Sequence, residues 1–313
     1  MEILKTVKPK TVFLTEIALL GVLALLWGSS YLFIKIAVAT IPPVSLIAVR
    51  VMGASVFLLV VLACKGISLP RDGRIWRMLL VQAVFNSIGA WTVLAWGQQY
   101  VDSALASVLN STSPVFVFFI TLLFTHHEAT GALKFLGACL GLAGVALIVG
   151  IDAVNGLGRQ VVAQLAVLLG AVLYAGAAIY GKRLAGLPPV VSAAGTMIWA
   201  TICLVPLSIF VDRPWSLRPS SQSVLAALML ATACTGLALL IYFRLVRTLG
   251  SMGVASQSYL RCAVGVVLGA AILGERITPA TALGLAAVIL GVAVINAPVG
   301  KSRRATDLLS NKS

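Results

Sequence analysis

The chain has 313 residues, 60% of them apolar and only 10% charged, with a mean hydropathy of +1.06. Soluble domains carry about a quarter charged residues, so a water-soluble globular protein is excluded. Apolar runs of roughly 20 residues recur from end to end, the length that crosses about 30 Å of hydrocarbon as helix, and the alternating pattern of a membrane barrel is absent.

Ten membrane-spanning helices are predicted, at 16–38, 43–64, 76–98, 103–125, 131–151, 160–182, 190–211, 222–247, 252–273 and 278–298. The basic tail before the first span (Lys5, Lys8, Lys10) resembles the start of a signal peptide. The apolar run continues past Trp27 to Val38 without a small-x-small cleavage site, which predicts a retained span. With the N-terminus in the cytoplasm, 16 of the 23 basic residues fall on the cytoplasmic side and four (Arg159, Arg213, Arg218, Arg276) outside. That asymmetry is the positive-inside rule and predicts cytoplasmic termini. The net charge of +14 therefore orients the chain in a bilayer, and no nucleic-acid partner is expected. The five cysteines are odd in number, lack metal-ligand spacing and read as small buried apolar groups; no cofactor is predicted.

The sequence matches itself at an offset near 147. WGSSYLFIK at 27–35 falls on YAGAAIYGK at 174–182, Pro42-Pro43 on Pro188-Pro189 after one deletion, Glu128 on Glu275, Gly137 on Gly284 and Gly144 on Gly291. Five spans per unit is an odd number, so the second unit enters the membrane from the opposite side as an inverted-topology repeat. The expected organisation is a cytoplasmic tail at 1–15, a first five-helix repeat at 16–151 and an external linker at 152–159. A second repeat at 160–298 and a cytoplasmic tail at 299–313 complete it. Inverted repeats usually hold substrate near the midplane between the halves, which favours a transporter over an intramembrane enzyme.

In the fourth span, LNSTSPVFVFF (109–119) sets Asn110, Ser111, Thr112, Ser113 and Pro114 inside an apolar run. Pro114 lacks an N–H, so the Asn110 carbonyl loses its usual helical partner. In lipid that loss costs several kcal/mol unless protein or water satisfies it. Ser107, Asn110, Ser111 and Pro114 share one helical face, which must meet a neighbouring helix or a wet cavity. Their equivalents in span 9 are Val254, Gln257, Ser258 and Arg261. The paired polar faces favour a kinked helix lining a substrate path over simple interhelical bonding.

The passage from Ala95 to Ile148 resembles the end of the repeat in the drug/metabolite transporter superfamily, and within it the ten-helix EamA-type exporters. The likeness lies in the Ala-rich lead-in, Ser113-Pro114 followed by aromatics, Glu128, and the Gly137/Gly141/Gly144 ladder. WGSSYLFIK, Pro42-Pro43 and Arg50 fit the same pattern, and GERITPATALGLAAVILGV repeats it in the second half. The resemblance implies an all-α fold, a path lined by helices 1, 3, 4, 6, 8 and 9, and transport of amino acids, drugs, sugars or other metabolites. Similar members export aromatic amino acids. One departure stands out: Arg261 occupies the place of Pro114.

All nine acidic residues fall in tails, loops or span ends, so the buried carboxylate used by proton-coupled exporters of cationic drugs is not expected. Three basic residues lie within spans. Lys35 is close enough to the outer end to snorkel, Arg50 is about 10 Å deep, and Arg261 near mid-depth is the strongest candidate for an anion contact. Trp76 and Trp215 read as interfacial anchors. Trp27, Tyr31, Trp91 and Tyr174 are candidates for a flat pocket wall, with Asn86 and neighbouring amides supplying hydrogen bonds. The candidate substrate-binding set is thus Trp27, Tyr31, Asn86, Trp91, Ser107, Asn110, Ser111, Pro114, Tyr174, Gln257 and Arg261.

The expected function is a secondary transporter exporting amphipathic small metabolites, amino acids with aromatic ones favoured, by alternating access in a bacterial inner membrane. The missing buried acid favours a facilitator. The alternatives are an exporter of lipophilic drugs or cations, a channel, or a scramblase; no Walker-type loop is present. His126-His127-Glu128 is a weak enzyme signal, because adjacent side chains point to different helix faces. Gly137-xxx-Gly141 and Gly265-xxx-Gly269 serve close helix packing, within the chain or across a dimer, and either a monomer or a homodimer is compatible with the sequence.

Overall fold

The structure, a computed structural model, describes residues 10–124, 135–144, 147, 158–184, 186–242, 244–245 and 257–296. Among these are ten helices: α1 (Lys10–Ala37), α2 (Pro43–Cys64), α3 (Gly73–Gly97), α4 (Ser103–Leu123), α5 (Phe135–Gly144), α6 (Gly158–Gly181), α7 (Pro189–Val211), α8 (Ser221–Tyr242), α9 (Gln257–Leu273) and α10 (Pro279–Asn296). Seven of them are long and apolar enough to cross a membrane, and α5, α9 and α10 contain shorter apolar helices. The lengths follow from lipid, where helix is the one open-chain structure that pairs its own backbone polar groups. Proline at the first position starts α2 and α7, where its missing N–H costs nothing.

The inversion of the two halves is visible at one end of the bundle. Lys35, at the finish of α1, donates to the Val101 carbonyl (2.8 Å) between α3 and α4. Arg159, at the start of α6, lies 5.5 Å from the Tyr100 ring at that same end. The first helix of one repeat therefore runs toward the face that the first helix of the other runs away from. α1 packs on α9 as α6 packs on α4, and α3 on α7 as α8 on α2. Both third helices contain a π-helical turn, Val84–Gly89 in α3 and Thr232–Leu237 in α8, at matching places in the two repeats.

Residues on the pseudo-two-fold axis meet their own equivalents. Ser55 of α2 and Thr201 of α7 share the offset of the proline pairs and hydrogen-bond to each other at 3.0 Å. A Cβ on Gly137 would fall 2.8 Å from the Gly291 carbonyl oxygen, and one on Gly144 would fall 2.7 Å from that of Gly284. Since Gly137 corresponds to Gly284 and Gly144 to Gly291, these contacts are one contact seen twice, the self-complementarity a two-fold axis imposes. The glycines offered above as a possible dimer face are thus engaged within the chain. Gly141 sits on Val115, Gly265 on Ser107, and Gly269 on Ser103 and Glu275. A helix surface cannot reveal in sequence which neighbour it will meet.

At the end bearing Lys35, acids of one repeat bond to helix starts of the other. Glu275, after α9, accepts from the Ser103 and Ala104 amides (2.7 and 2.8 Å) and so caps α4. Asp212, after α7, accepts from the Ser45 amide and hydroxyl (2.7 and 2.8 Å) and caps α2. Each carboxylate satisfies orphan N–H groups and faces the positive end of a helix dipole. Gly274, with φ +67°, adopts the left-handed conformation that returns the chain toward α4. Lys35 also lies 3.9 Å from Asp102, which accounts for this cation as a span-end residue. Burial and the nearby Glu275 push the Asp102 carboxyl up, while Lys35 pulls it down. Trp215 is exposed beside this end, and Trp76 opens α3 at the other with its indole donating to Pro70, as anchors should.

One expectation needs correction. Glu16 was grouped with span-end acids and no buried carboxylate was anticipated; its side chain is 4% exposed and ion-paired with Arg244 at 2.9 Å. Arg244 comes from just beyond α8, far away in sequence, so only tertiary packing brings it over the acid. The predicted tail at 1–15 is shorter than expected, because α1 already begins at Lys10. His126, His127, Glu128 and Val254 lie outside the described residues, as do residues 1–9 and the tail at 299–313, residues 152–157 of the linker, and the side chains of Gln257 and Ser258.

Two predictions follow from these contacts. Gly291→Ala would place a Cβ within 2.6 Å of backbone atoms of Gly137 and Gly141, which cannot rotate away. A loss of about 1–3 kcal/mol, as for overpacking, should lower the thermal unfolding midpoint of the detergent-solubilised protein. Gly21→Ala, with nothing within 4 Å, should leave it unchanged or slightly higher, and equal behaviour of the two would refute the tight crossing. Glu275→Gln should speed hydrogen exchange of the Ser103 and Ala104 amides several-fold by removing the charge at the α4 N-terminus, an effect of roughly 0.3–1 kcal/mol. Unchanged exchange would mean that the cap contributes nothing.

Candidate substrate site

The in-span polar residues converge where the two repeats meet. Tyr31, Arg50, Trp91 and Asn110 each lie six or seven residues inside the Asp102 end of their helices, about 10 Å deep at 1.5 Å per residue. All four are buried. Tyr174 of α6 and Arg261 of α9 complete the group, half-buried. Arg50, Tyr31 and Arg261 are all within electrostatic reach of the Tyr174 hydroxyl.

The kink in α4 forms one wall. Regular helix stops at Asn110 and resumes at Ser113, one residue before Pro114. The Ser111 hydroxyl donates back to the Ser107 carbonyl (2.7 Å) and the Thr112 hydroxyl to that of Leu109 (2.6 Å). Polar side chains thus bind backbone carbonyls around a break that lipid could not solvate. The Ser107/Asn110/Ser111 face does not reach lipid. Ser107 abuts Gly265 of α9, and the Asn110 amide donates to the Tyr31 hydroxyl at 2.7 Å. Glycine is required where these helices touch: a Cβ on Gly265 would lie 2.6 Å from Ser107, and one on Gly28 would lie 2.8 Å from the Arg261 carbonyl oxygen. The glycine of WGSS therefore lets α1 approach α9 beside Arg261.

Arg50 holds the other wall together. Its Nε donates to the Thr235 hydroxyl at 2.8 Å, and its guanidinium carbon stands 4.0 Å from the centre of the Trp91 ring. The Trp91 indole N–H donates to the Tyr174 hydroxyl. Thr235 lies in the π-helical turn of α8, and its hydroxyl also donates to the Leu230 carbonyl (2.7 Å). Four helices (α2, α3, α6 and α8) are thereby joined through one cation, two aromatic rings and a hydroxyl.

Several polar atoms here lack a protein partner among the described residues. They are Nε of Arg261, Oδ1 of Asn110 and Oε1 of Gln98, whose amide nitrogen donates to the Tyr31 carbonyl (2.9 Å). Among the described residues no carboxylate joins the group: the acids sit at helix ends, on Arg244, Lys35 or backbone amides. Two guanidiniums, two phenols, an indole and an amide between rigid helices can offer donors to an anion and flat apolar faces to an aromatic body.

Not every sequence candidate joins. Trp27 packs on Tyr242 (ring centroids 5.4 Å apart), a turn farther from the Asp102 end. Asn86, in the π-helical turn of α3, donates to the neighbouring Ser87 hydroxyl. Gln257 opens α9, and its side chain is outside the described residues. Sequence reasoning missed Thr235; the offset near 147 sets it on Ile88, and only the π-helical turns of the structure bring it into register with Ser87.

The fold and its repeat are matched by known proteins. The EamA-like transporter family matches the chain twice, over residues 14–150 and 161–297, with a displacement of 147 residues between the copies. The chain is 26% identical over 273 residues to the uncharacterized inner membrane transporter YedA of Escherichia coli (strain K12), a match covering 87% of this chain and 88% of that protein. It is 23% identical to the uncharacterized transporter YoaV of Bacillus subtilis (strain 168), covering 88% and 94%. It is 26% identical to Protein PagO of Salmonella typhimurium (strain LT2), covering 86% and 88%. A solved crystal structure superimposes with a TM-score of 0.62 at 19% identity, over 90% of this chain and 96% of that one, and shares the fold. With two family repeats set in opposite directions across a multi-pass helical bundle, the chain belongs to the EamA-like transporter family.

Proposed function

We propose that this transporter exports small amphipathic metabolites, aromatic amino acids foremost, by alternating access of its two inverted repeats in a bacterial inner membrane. The observation that carries the reading is the buried group at the repeat junction, which is cationic, walled by Tyr31, Trp91 and Tyr174, and free of carboxylates among the described residues. A carboxylate-bearing aromatic molecule complements both properties. Ser107, Ser111 and Pro114 of α4 line the path, and Trp27 lies one turn along it. The buried acid Glu16 does not favour a cationic drug, because Arg244 already neutralises it. Both termini are assigned to the cytoplasm from the distribution of basic residues. The substrate gradient drives the cycle.

Counterflow in proteoliposomes tests the function. Saturable, trans-stimulated uptake of labelled L-tryptophan or L-phenylalanine is expected; flux that rises linearly without saturation would indicate a pore instead. Arg261→Gln should weaken tryptophan more than neutral indole, by roughly 1–3 kcal/mol or about ten- to hundred-fold in affinity. Equal weakening of both would make Arg261 structural. Orientation is checked with single cysteines in a background lacking the native five: Arg276→Cys should react with an impermeant thiol reagent on intact cells, and Lys65→Cys only after permeabilisation. The reverse pattern would invert the assigned topology.

A further inference from the structure

Arg50 is 4% exposed, and the protein gives it an incomplete shell. A guanidinium has five N–H donors. Among the described residues the one acceptor is the Thr235 hydroxyl on Nε, and the other contact is the face of Trp91. An arginine retained for structure alone inside a membrane protein is normally paired with a carboxylate or several carbonyls, since a buried charge without them is costly. Five described acids exist, and each is engaged at a helix end.

Packing does not demand the cation either. The repeat equivalent of Arg50, at the offset of the proline pairs, is Thr196, whose hydroxyl simply donates to the Ser192 carbonyl of its own helix. The same crossing of helices is thus built once without a charge. Arg50 and Arg261 come from opposite repeats, and the equivalents of both, Thr196 and Pro114, are uncharged. Nearby, Asn110 is 1% exposed and its Oδ1 has no partner. A cation with open donors and an amide with an open acceptor are linked through Tyr31, which is hydrogen-bonded to Asn110 and within electrostatic reach of Arg50.

We propose that Arg50 is the anion anchor of this transporter, binding the carboxylate of a zwitterionic amino acid while the Asn110 carbonyl oxygen takes its ammonium group. The inference rests on the substrate reading above and adds to it the residue that selects the carboxylate. Arg50 exchanges its Thr235 partner for the carboxylate, and Thr235 keeps its own bond to Leu230. Trp91, fixed by Tyr174, supports the guanidinium from below, so the fork is held in place before the ligand arrives.

The test is calorimetric binding of L-phenylalanine, 3-phenylpropionate and phenethylamine to the full chain in nanodiscs. Arg50→Gln should weaken the two carboxylates by about ten- to hundred-fold and phenethylamine by less than about threefold. Arg50→Lys, which keeps the charge but not the bidentate fork, should fall between. Asn110→Ala should weaken phenylalanine and spare phenylpropionate. Thr235→Ala should tighten both carboxylates a few-fold by removing the competing acceptor. Should Thr235→Ala instead reproduce the loss seen with Arg50→Gln, the arginine is a structural tie and the proposal fails. Carboxylate binding that survives Arg50→Gln and Arg50→Lys unchanged overturns the anchor while leaving the amino-acid reading intact. Wild-type protein that binds neither carboxylate overturns both.

Discussion

The contact between repeats across the pseudo-two-fold axis is the constraint on which the rest of the structure depends. On such an axis a residue meets its own equivalent, so the side chain must tolerate itself. The chain meets this condition with hydroxyls that serve as donor or acceptor, Ser55 with Thr201, and beside the axis with glycines whose contacts recur as a symmetric pair, Gly137 with Gly291 and Gly144 with Gly284. Without a hydrophobic force between helices in lipid, close backbone approach and such bonds are what hold them. The pairings α1–α9 with α6–α4, and α3–α7 with α8–α2, follow once the axis is set.

Charge is distributed around that frame by depth. Acids stand at the ends, where Glu275 and Asp212 from one repeat cap α4 and α2 of the other. These caps join the repeats at the Asp102 end. Cations with no acid beside them among the described residues stand at the repeat junction, where Arg50 and Arg261 break the symmetry of the repeat itself. In the proposed cycle the two like halves make the two orientations of the bundle alternatives, and the unlike residues make the proposed site.

Much of this was legible from residues alone. Apolar run lengths set α2, α3, α6 and α7 to within three residues, while α1 starts six residues before its predicted span; the offset near 147 that aligned Glu128 with Glu275 recurs in the two family matches. The polar face of LNSTSPVFVFF was assigned away from lipid, and Ser107, Asn110 and Ser111 are all buried. Lys35 was read as a span-end cation and bonds to Val101 at that end. The candidate aromatics separated less well: Tyr31, Trp91 and Tyr174 converge, whereas Trp27 packs on Tyr242, because helical periodicity gives the face of a helix but not the partner on it.

The sequence by itself determined the class, the helix number and the repeat, because hydropathy, the odd span count and glycine spacing are properties of each segment and its copy. The tertiary structure alone decided which neighbour each face received. It placed Arg244 on Glu16, Glu275 on the α4 N-terminus, and Thr235 and Trp91 on Arg50. These partners lie more than 40 residues apart, so no local pattern encodes them. An in-span arginine looks the same in sequence whether its donors are filled or open, and only the positions of surrounding helices determine which of the two it is.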